Sequence, residues 1–416
     1  MGLNSGSSFD GLDAVLIDVD IAEDGHPARP RFVAGLSYDW PAHVAERVLA
    51  AFENKVDVFE MTRLNYEAGA VYAQAALELL AQEDLSGEDL FVVGYDGQTI
   101  YQEPPNHDQM SALAPDASLV ERWTHGGYGC GFQIGESAVV AAATLAPTVT
   151  HFRPMDHALG GTGAPLMQYL DFVSFRDIGP VLTLNIGGIA NCQLADADRN
   201  RMMAFDTGPG NVMIDHAARQ LLGVPYDANG AAAARGTVNQ EMLSRLTQHP
   251  YFGRHPPRSA WRLDFGAGYA DRALADAAGL AADDVLATLT AFTAWAIDRS
   301  IRDHVSKLND IPTLVASGGG VRNETLMRML AERLPDSLRL TTSDEFGLPP
   351  QYKEAIKFGV LAFAHQHGLA NNVPAASGAS GFAILGRAVQ PPRLAVVDPQ
   401  RGEAAEPTAL ATVEPR

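Results

Sequence analysis

Short apolar runs bordered by small or polar residues recur along the chain, and longer stretches with apolar residues at helical spacing lie between them. Runs of this length that are bounded by turn residues predict buried strands. The predicted strands cover residues 14–19, 91–94, 181–186, 202–205 and 313–317. The predicted helices cover residues 41–50, 61–80, 136–146, 212–222 and 323–334. This alternation is typical of an α/β protein, in which strands that end in polar turns usually line a cleft.

Two of the predicted strands begin hairpins that share a short sequence. Leu-Asn-x-Gly occurs at residues 3–6 and again at residues 184–187. Four matching positions are few, but both sets lie in the same predicted unit of strand, glycine turn and strand. The repeat therefore predicts a duplicated lobe.

The turn of the first hairpin has the composition of a phosphate-binding loop. Gly6, Ser7, Ser8 and Gly11 are small enough for the backbone to approach an anion, while Asp10 is available to a cation. The Gly-Lys-Ser/Thr ending of a Walker loop does not occur here, so a hairpin is expected instead of a strand-to-helix loop. An ordinary Gly/Ser hairpin is the alternative, because short motifs often match by chance.

Two further turns follow predicted strands in the second half of the chain. Asp206 stands in residues 206–211, where a strand ends and a helix begins, which suits a phosphate and its metal. Residues 318–320 are three glycines between a strand and a helix. They leave room for an adenosine or for close backbone approach, although a plain connection would also use them.

Length and charge narrow the class of protein. A chain of 416 residues exceeds what one hydrophobic core usually serves, so two domains or two lobes around a cleft are expected. With 30 basic and 50 acidic residues the formal net charge is −20. A charge of this sign argues against nucleic acid and anionic membrane surfaces as partners.

The cysteines and the apolar stretches indicate a cytoplasmic protein. Cys130 and Cys192 are too few for a disulfide framework and lack metal-ligand spacing, which fits a reducing compartment. No signal peptide is recognisable, and no apolar stretch approaches the roughly 20 residues of a membrane span.

The order of these turns resembles that of the two-lobed sugar kinase and actin-like ATPase superfamily. Within it, specific segments resemble the anhydro-N-acetylmuramic acid kinase family, which includes levoglucosan kinase. These segments are residues 2–13, 152–156 with 161–166, 185–191, 205–211 and 317–323. The resemblance runs from about residue 2 to about residue 390 and implies an α/β fold with two lobes around a central cleft.

Two lobes and a tail are expected along the chain. An N-terminal lobe is expected at residues 1–140, with residues 370–392 returning to it, and a nucleotide-binding lobe at 141–369. Pro, Glu and Ala dominate residues 393–416, which predicts a disordered tail.

The resemblance implies an ATP-dependent kinase of a 1,6-anhydrosugar, in which water opens the anhydro bridge while O6 is phosphorylated. The family's general base falls on Asp156, and Arg153 is the implied orienting or charge-stabilising partner. Asp156 could instead cap the following turn, and Arg153 could form a simple ion pair.

Magnesium is expected to bridge the β- and γ-phosphates, with Asp10 and Glu354 as candidate ligands. Glu354 could instead be a solvated glutamate in the first turn of a helix. The expected nucleotide contacts are Gly6, Ser7, Ser8, Asp10, Gly11, Asp13, Asn185, Gly187, Gly188, Asp206, Thr207, Gly208, Gly210, Asn211, Gly318, Gly319, Gly320 and Asn323. The expected sugar contacts are Asp96, Gly97, Gln98 and Thr99.

Three positions depart from the family pattern. Asp96 replaces a histidine, which changes the charge where the sugar is expected. Thr162 replaces a glutamine and removes a long side chain that can both donate and accept hydrogen bonds. Trp261 stands in an altered segment and could either stack on a sugar or fill space. Because sugar sites discriminate by hydroxyl pattern, these changes predict a different sugar.

Three functions therefore remain in competition. The first is a kinase of anhydro-N-acetylmuramic acid or of a simpler anhydrosugar such as levoglucosan, acting as the homodimer that the resemblance implies. The second is an ordinary hydroxyl kinase without bridge opening. The third is a nucleotide-binding homologue that has lost catalysis, which the presence of Asp156 and of every nucleotide turn argues against.

Overall fold

Two mixed sheets and the helices around them form the framework of the molecule. The computed structural model describes residues 1–6, 9, 11–256, 258–260 and 262–392. The sheets have six and five strands in these residues, and a separate pair of strands forms a third, small sheet. The predicted α/β fold class is confirmed.

The bounds of the elements are as follows. The strands are β1 (Gly2–Ser5), β2 (Leu12–Asp18), β3 (Arg31–Tyr38), β4 (Val93–Gly94), β5 (Gln98–Glu103), β6 (Cys130–Ile134), β7 (Thr148–Thr150), β8 (Val181–Ile186), β9 (Ile189–Ala195), β10 (Met203–Pro209), β11 (Thr313–Ser317), β12 (Arg339–Thr342) and β13 (Arg387–Val389). The α-helices are α1 (Ala42–Phe52), α2 (Val58–Gln82), α3 (His107–Ala112), α4 (Leu119–His125), α5 (Ser137–Thr144), α6 (Arg153–Ala158), α7 (Met167–Phe175), α8 (Val212–Leu222), α9 (Ala231–Arg235), α10 (Gln240–Leu246), α11 (Arg262–Phe265), α12 (Ala267–Asp276), α13 (Ala282–His304), α14 (Glu324–Ala331), α15 (Lys353–Gln366) and α16 (Pro374–Ser377).

The two large sheets repeat one strand order. The six-stranded sheet runs β13-β7-β4-β1-β2-β3, and the five-stranded sheet runs β10-β9-β8-β11-β12. In each sheet the first strand pairs antiparallel with the next strand in the chain and parallel with a later one. Asn4 and Asn185, which occupy the same position of the Leu-Asn-x-Gly repeat, both lie near the ends of these first strands. The repeat predicted from four residues is therefore present in the topology.

The predicted helices are also present, although their ends differ from the prediction by a few residues. Capping explains the difference at the start of α2. The stretch predicted at 61–80 forms the middle of α2, which begins earlier because the Asp57 carboxylate accepts hydrogen bonds from the N–H groups of Phe59 and Glu60 at 2.9 Å. The stretches at 41–50, 136–146, 212–222 and 323–334 correspond to α1, α5, α8 and α14.

Helices α7 and α15 form a buried layer that contacts both large sheets. One apolar cluster contains Val15 of β2, Val315 of β11, Phe172 of α7 and Phe358 of α15. Helix α15 packs so closely on β1 that a Cβ placed on Gly2 would lie 2.0 Å from the Ala355 carbonyl oxygen. The beginning of α15 therefore lies where the two sheets meet.

The limits predicted for the lobes, 1–140 with 370–392 and 141–369, remain predictions. The disorder predicted for residues 393–416 lies outside the described residues. In the part of the chain that the structure describes, no helix has both the length and the apolarity needed to cross a bilayer.

Candidate active site

Glu354, in the first turn of α15, connects the ends of the two repeated hairpins. Its Oε2 accepts a hydrogen bond from Asn4 Nδ2 at 3.3 Å, and its Oε1 accepts one from Asn185 Nδ2 at 3.4 Å. Asn4 was not among the predicted site residues, although the Leu-Asn-x-Gly repeat contained the signal that would have paired it with Asn185. The carboxylate thus connects the ends of β1 and β8.

The turn of the second hairpin lies against the turn that follows β10. Gly210 N–H donates to the Gly188 carbonyl at 2.8 Å, and Asn211 N–H donates to the Gly187 carbonyl at 2.8 Å. A Cβ on Gly210 would lie 2.3 Å from the Gly187 oxygen, so only glycine fits there. The predicted second and third nucleotide turns are therefore in contact.

The glycine turn after β11 lies beside the second hairpin. Ser317 pairs in register with Asn185 of β8, and Gly318 adopts a φ of 83° directly beyond it. A Cβ on Gly318 would lie 2.5 Å from Asn185 Oδ1, whereas nothing lies within 4 Å of one on Gly319. The structure thus brings the second hairpin and the 318–320 turn together and leaves the backbone at Gly319 open.

Asp206 has an unusual electrostatic environment. Burial raises the pKa of its carboxyl to about 7, against the opposing effects of the Ala260 N–H group and the Arg258 guanidinium. Ala260 N–H donates to Asp206 Oδ2 at 2.7 Å, and Tyr251 Oη donates to the Asp206 carbonyl at 2.6 Å. The carboxyl therefore changes its charge near neutral pH.

Two predicted nucleotide residues use their side chains for structural hydrogen bonds. Thr207 Oγ1 donates to the Ala190 carbonyl at 3.1 Å, which ties β10 to β9. Asn323 Oδ1 accepts from Leu326 N–H at 2.9 Å and thereby caps α14. Gly208 lies between them in the chain and has a φ of 140°. Nucleotide contacts in this region would therefore come from the backbone.

The first hairpin turn is described only in part. Ser7, Ser8 and Asp10 lie outside the described residues. The Gly6 carbonyl accepts from Phe9 N–H at 3.1 Å, and Gly11 has a φ of 153°.

Asp13 faces the neighbouring strand. Its Oδ1 accepts a hydrogen bond from Ser37 Oγ of β3 at 2.6 Å. The side chain of Ser37 in turn accepts from Gln351 Nε2 at 2.7 Å. Asp13 is therefore part of a link between the first hairpin and the segment that leads into α15.

Asp156 lies buried in α6, and two donors fix its carboxylate. Gly163 N–H donates to Oδ2 at 2.8 Å, and Ser377 Oγ donates to Oδ1 at 2.8 Å. A Cβ on Gly161 would lie 2.3 Å from Asp156 Oδ2, so the glycine lets the loop pass over the carboxylate. Ser377 is more than 200 residues away in the chain, and no sequence motif indicated its contact with Asp156.

Arg153 is held by Asp96 beside this carboxylate. Arg153 Nε donates to Asp96 Oδ2 at 2.5 Å, and Phe152 N–H donates to Asp96 Oδ1 at 2.9 Å. Arg153 also donates from a terminal nitrogen to the Gly163 carbonyl at 2.9 Å. Both oxygens of Asp96 therefore hold the beginning of α6, and Arg153 forms an ion pair with Asp96.

Gly97, Gln98 and Thr99 are the other residues of the predicted sugar loop, and the last two begin the strand β5. Gln98 contacts the first hairpin. Ser5 Oγ donates to Gln98 Oε1 at 2.6 Å, and Trp40 Nε1 donates to Ser5 Oγ at 3.1 Å. Gly97 has a φ of 103°, which permits the turn, and Thr99 is half-buried. The predicted phosphate hairpin and the predicted sugar loop are thus neighbours.

The other two positions that depart from the family pattern are Thr162 and Trp261, and the structure describes only Thr162. Thr162 Oγ1 donates to the Ala164 carbonyl at 2.7 Å, so its hydroxyl stabilises the loop beside Asp156. Trp261 lies outside the described residues.

Two buried lysines of α15 were not predicted from the sequence. Lys353 Nζ lies 2.8 Å from Asp171 Oδ1 of α7. Lys357, one turn further along, is 7% exposed, and its Nζ lies 4.2 Å from the centre of the Phe358 ring. The sequence pattern could not show which polar side chains of this buried helix have partners.

Two glycines and one carboxylate of the site are the groups that would receive a nucleotide and its Mg²⁺. A Cβ on Gly187 or Gly188 would have no other atom within 3.4 Å, so the backbone of both residues is accessible to phosphate oxygens. Among the described residues no cluster of three or more His, Cys, Asp or Glu side chains could hold a metal. Glu354 offers a carboxylate whose hydrogen bonds to Asn4 and Asn185 are long, which suits Mg²⁺, since this ion keeps several waters and binds phosphates.

Comparisons with known proteins give one family. A family model described as anhydro-N-acetylmuramic acid kinase matches residues 1–125 and 106–391. The anhydro-N-acetylmuramic acid kinase of Streptomyces avermitilis is 38% identical over 392 residues, which cover 93% of each chain. That of Gloeobacter violaceus is 35% identical over 390 residues, which cover 93% of this chain and 97% of the relative.

Two solved structures align over most of the chain. They are the activator of 2-hydroxyisocaproyl-CoA dehydratase from Clostridium difficile, with a TM-score of 0.37 at 11% identity, and component A of (R)-2-hydroxyglutaryl-CoA dehydratase from Acidaminococcus fermentans, with a TM-score of 0.39 at 12% identity. These alignments cover 85% and 87% of this chain and 96% of each solved chain. Scores this low carry no conclusion about function.

Proposed function

Because this chain belongs to the anhydro-N-acetylmuramic acid kinase family and is a kinase, we propose that it phosphorylates a 1,6-anhydrosugar with ATP while water opens the anhydro bridge. The observation that carries the proposal is the carboxylate of Asp156, which is buried and oriented by Gly163 and Ser377 next to the predicted sugar loop. An oriented carboxylate is what a water that attacks a sugar carbon needs as a base.

The proposed reaction adds water at C1 and a phosphoryl group at O6. The oxygen of water bonds to C1 of the sugar, and Asp156 accepts the proton that this water loses. The C1–O6 bond breaks, and its electron pair stays on O6, which bonds to the γ-phosphorus of ATP. The bond from that phosphorus to the bridging oxygen breaks, and ADP leaves with the pair. The product is a reducing sugar 6-phosphate.

Arg153 and Asp96 would position the base in this scheme. The guanidinium connects Asp96 to the Gly163 carbonyl, and Gly163 N–H holds Asp156. The chain Asp96–Arg153–Gly163–Asp156 therefore keeps the carboxylate in one orientation. Since the charge of Asp96 is compensated by Arg153, its presence in place of histidine adds no free negative charge to the proposed sugar site.

The glycine turns would hold the nucleotide. Their backbone can approach phosphate oxygens at Gly187, Gly188 and Gly319, where a Cβ would meet little or nothing. Glu354 and Asp10 would hold Mg²⁺ through waters, and Asp10 lies outside the described residues. When bound, the ion neutralises charge that develops on the phosphates.

Product analysis tests this function. We expect purified protein with ATP and Mg²⁺ to convert anhydro-N-acetylmuramic acid or levoglucosan, both non-reducing, into a phosphorylated sugar that reduces copper reagents. A phosphorylated product that stays non-reducing would instead establish the ordinary hydroxyl kinase. Binding of ATP without phosphorylation of any anhydrosugar or ordinary sugar would instead support the impaired homologue.

The assembly and the compartment of the enzyme also belong to the proposal. The family resemblance supports a homodimer, and the low cysteine content supports a cytoplasmic location. Light scattering of the purified chain at working concentration would measure the mass, and a mass of 44.4 kDa would contradict the dimer.

A further inference from the structure

Lys357 is a buried cation without an ionic partner. It is 7% exposed, and among the described residues no carboxylate lies within 4.0 Å of its Nζ to form an ion pair. Its Nζ instead lies over the face of the Phe358 ring, 4.2 Å from the ring centre. The other buried lysine of the same helix, Lys353, has a carboxylate of Asp171 at 2.8 Å. Buried charges in proteins normally have an ionic partner. Lys353 has one, and Lys357 has none within the part of the chain that the structure describes.

The position of Lys357 places its ammonium group beside the proposed site. Side chains of a helix lean toward its N-terminus, and Glu354 lies in the first turn of α15, one turn before Lys357. The charged groups that act on Lys357 are Glu354, Arg153, Asp96 and Lys353. Glu354 belongs to the phosphate side of the cleft, and Arg153 with Asp96 belongs to the sugar side.

The neighbouring charges already have other partners. The oxygens of Asp96 accept from Phe152 and Arg153, and those of Glu354 accept from Asn4 and Asn185. Burial lowers the pKa of Lys357, so its charge is less favourable here than in water. A leucine or methionine would fill the same space without this cost.

We propose that Lys357 binds the phosphoryl group during its transfer, donating to an oxygen of the γ-phosphate of ATP and then to the 6-phosphate of the product. The location favours this anion, because the group that passes from nucleotide to sugar must cross between Glu354 and the Asp96–Arg153 pair. The proposal rests on the proposed function for the identity of the acceptor. The contact between Lys357 and the γ-phosphate can be tested without any sugar.

The test compares two nucleotides on the full chain. Lys357→Met should weaken binding of the magnesium complex of a non-hydrolysable ATP analogue by about 10- to 100-fold, as expected for a lost hydrogen bond between charged groups. Binding of magnesium ADP should remain at the wild-type level, because ADP lacks the γ-phosphate. Equal losses for both nucleotides, or no loss for either, would overturn the proposal.

Thermal unfolding separates this role from a structural one. Lys357→Met removes a buried charge without a partner and should raise the melting temperature, whereas Lys353→Met leaves Asp171 without its ion pair and should lower it. Lys357→Arg keeps the charge and should recover much of the preference for the triphosphate. A Lys357→Met protein that melts below the wild type would contradict an unpartnered charge at this position.

The outcomes also distinguish the two proposals. If the wild type turns over no anhydrosugar but Lys357→Met loses the preference for the triphosphate, the proposed acceptor is wrong and the role of Lys357 stands. If the wild type opens anhydrosugars and Lys357→Met keeps the preference, the role of Lys357 is wrong and the proposed function stands.

Discussion

Asp156 is the residue on which the proposed chemistry depends most. Its carboxylate oxygens are each held at 2.8 Å, by Gly163 N–H and by Ser377 Oγ, so its orientation is set within the fold. Asp156→Asn keeps the size of the side chain but cannot accept the proton of water. We expect kcat on an anhydrosugar to fall about 10²- to 10⁴-fold, with ATP affinity near that of the wild type. Steady-state kinetics and calorimetry measure the two quantities.

Ser377→Ala is the matched control for this prediction. It removes one hydrogen bond to the same carboxylate and keeps the carboxylate itself, so kcat should fall only by about tenfold. Near-normal turnover by Asp156→Asn would show that Asp156 is not the base. A proportional loss of ATP affinity would identify it as a metal ligand or a structural residue.

The raised pKa of Asp206 predicts how the stability of the protein depends on pH. Its pKa of about 7 in the folded protein exceeds that of an unfolded aspartate, so the folded state binds the additional proton. The free energy of unfolding therefore falls as the pH rises from about 4 to 7, by at most about 4 kcal/mol from this group. Asp206→Asn removes this contribution, so the variant should gain stability relative to the wild type as the pH rises.

Chemical denaturation of both proteins between pH 5 and pH 8 measures this difference. A difference in the free energy of unfolding that stays constant over the range would show that the Asp206 carboxyl is already ionised throughout.

Among the structural elements, the glycine turn after β11 offers two neighbouring positions with different surroundings. A Cβ on Gly320 would lie 2.2 Å from Ile186 Cγ2, whereas one on Gly319 would meet nothing within 4 Å. Gly320→Ala should therefore destabilise the protein by about 1–3 kcal/mol. Gly319→Ala should leave the melting temperature unchanged but raise the KM for ATP several-fold, because its methyl group enters the proposed nucleotide space.

Melting curves and ATP kinetics of the two variants check this prediction. An unchanged KM for ATP in Gly319→Ala would place the nucleotide away from this turn.

The elements themselves follow from local patterns that the sequence contains. The apolar positions Val44, Val48 and Ala51 recur at helical spacing and are the buried face of α1. The shared Leu-Asn-x-Gly positions predicted the duplication, because the same turn chemistry is needed wherever the hairpin recurs. The lengths of α1, α2 and α8 were therefore predicted within a few residues.

The pairing of polar side chains could not be predicted in the same way. Asp96 and Arg153 are 57 residues apart in the chain, and only the tertiary fold brings the end of β4 beside the start of α6. The same holds for Ser377 with Asp156 and for Lys353 with Asp171. A motif indicates that a charged residue is needed, but the partner that holds it is determined by how distant segments pack.

At the scale of the whole molecule, two sheets of one strand order meet at the first turn of α15. Asn4 and Asn185 take equivalent places in the two sheets, and both donate to Glu354. The apolar cluster around α7 and α15 joins the sheets behind this point. Glu354 is therefore contacted from both halves of the repeat.

Isotope labelling tests the coupling of bridge opening to phosphorylation most directly. The reaction of an anhydrosugar with ATP and Mg²⁺ would be run in H₂¹⁸O and analysed by mass spectrometry, with preformed product in the same water as the control for exchange at C1. We expect one ¹⁸O in the sugar at C1, beyond the control, and none in the phosphate. A phosphorylated sugar without ¹⁸O that keeps its anhydro bridge would contradict this expectation.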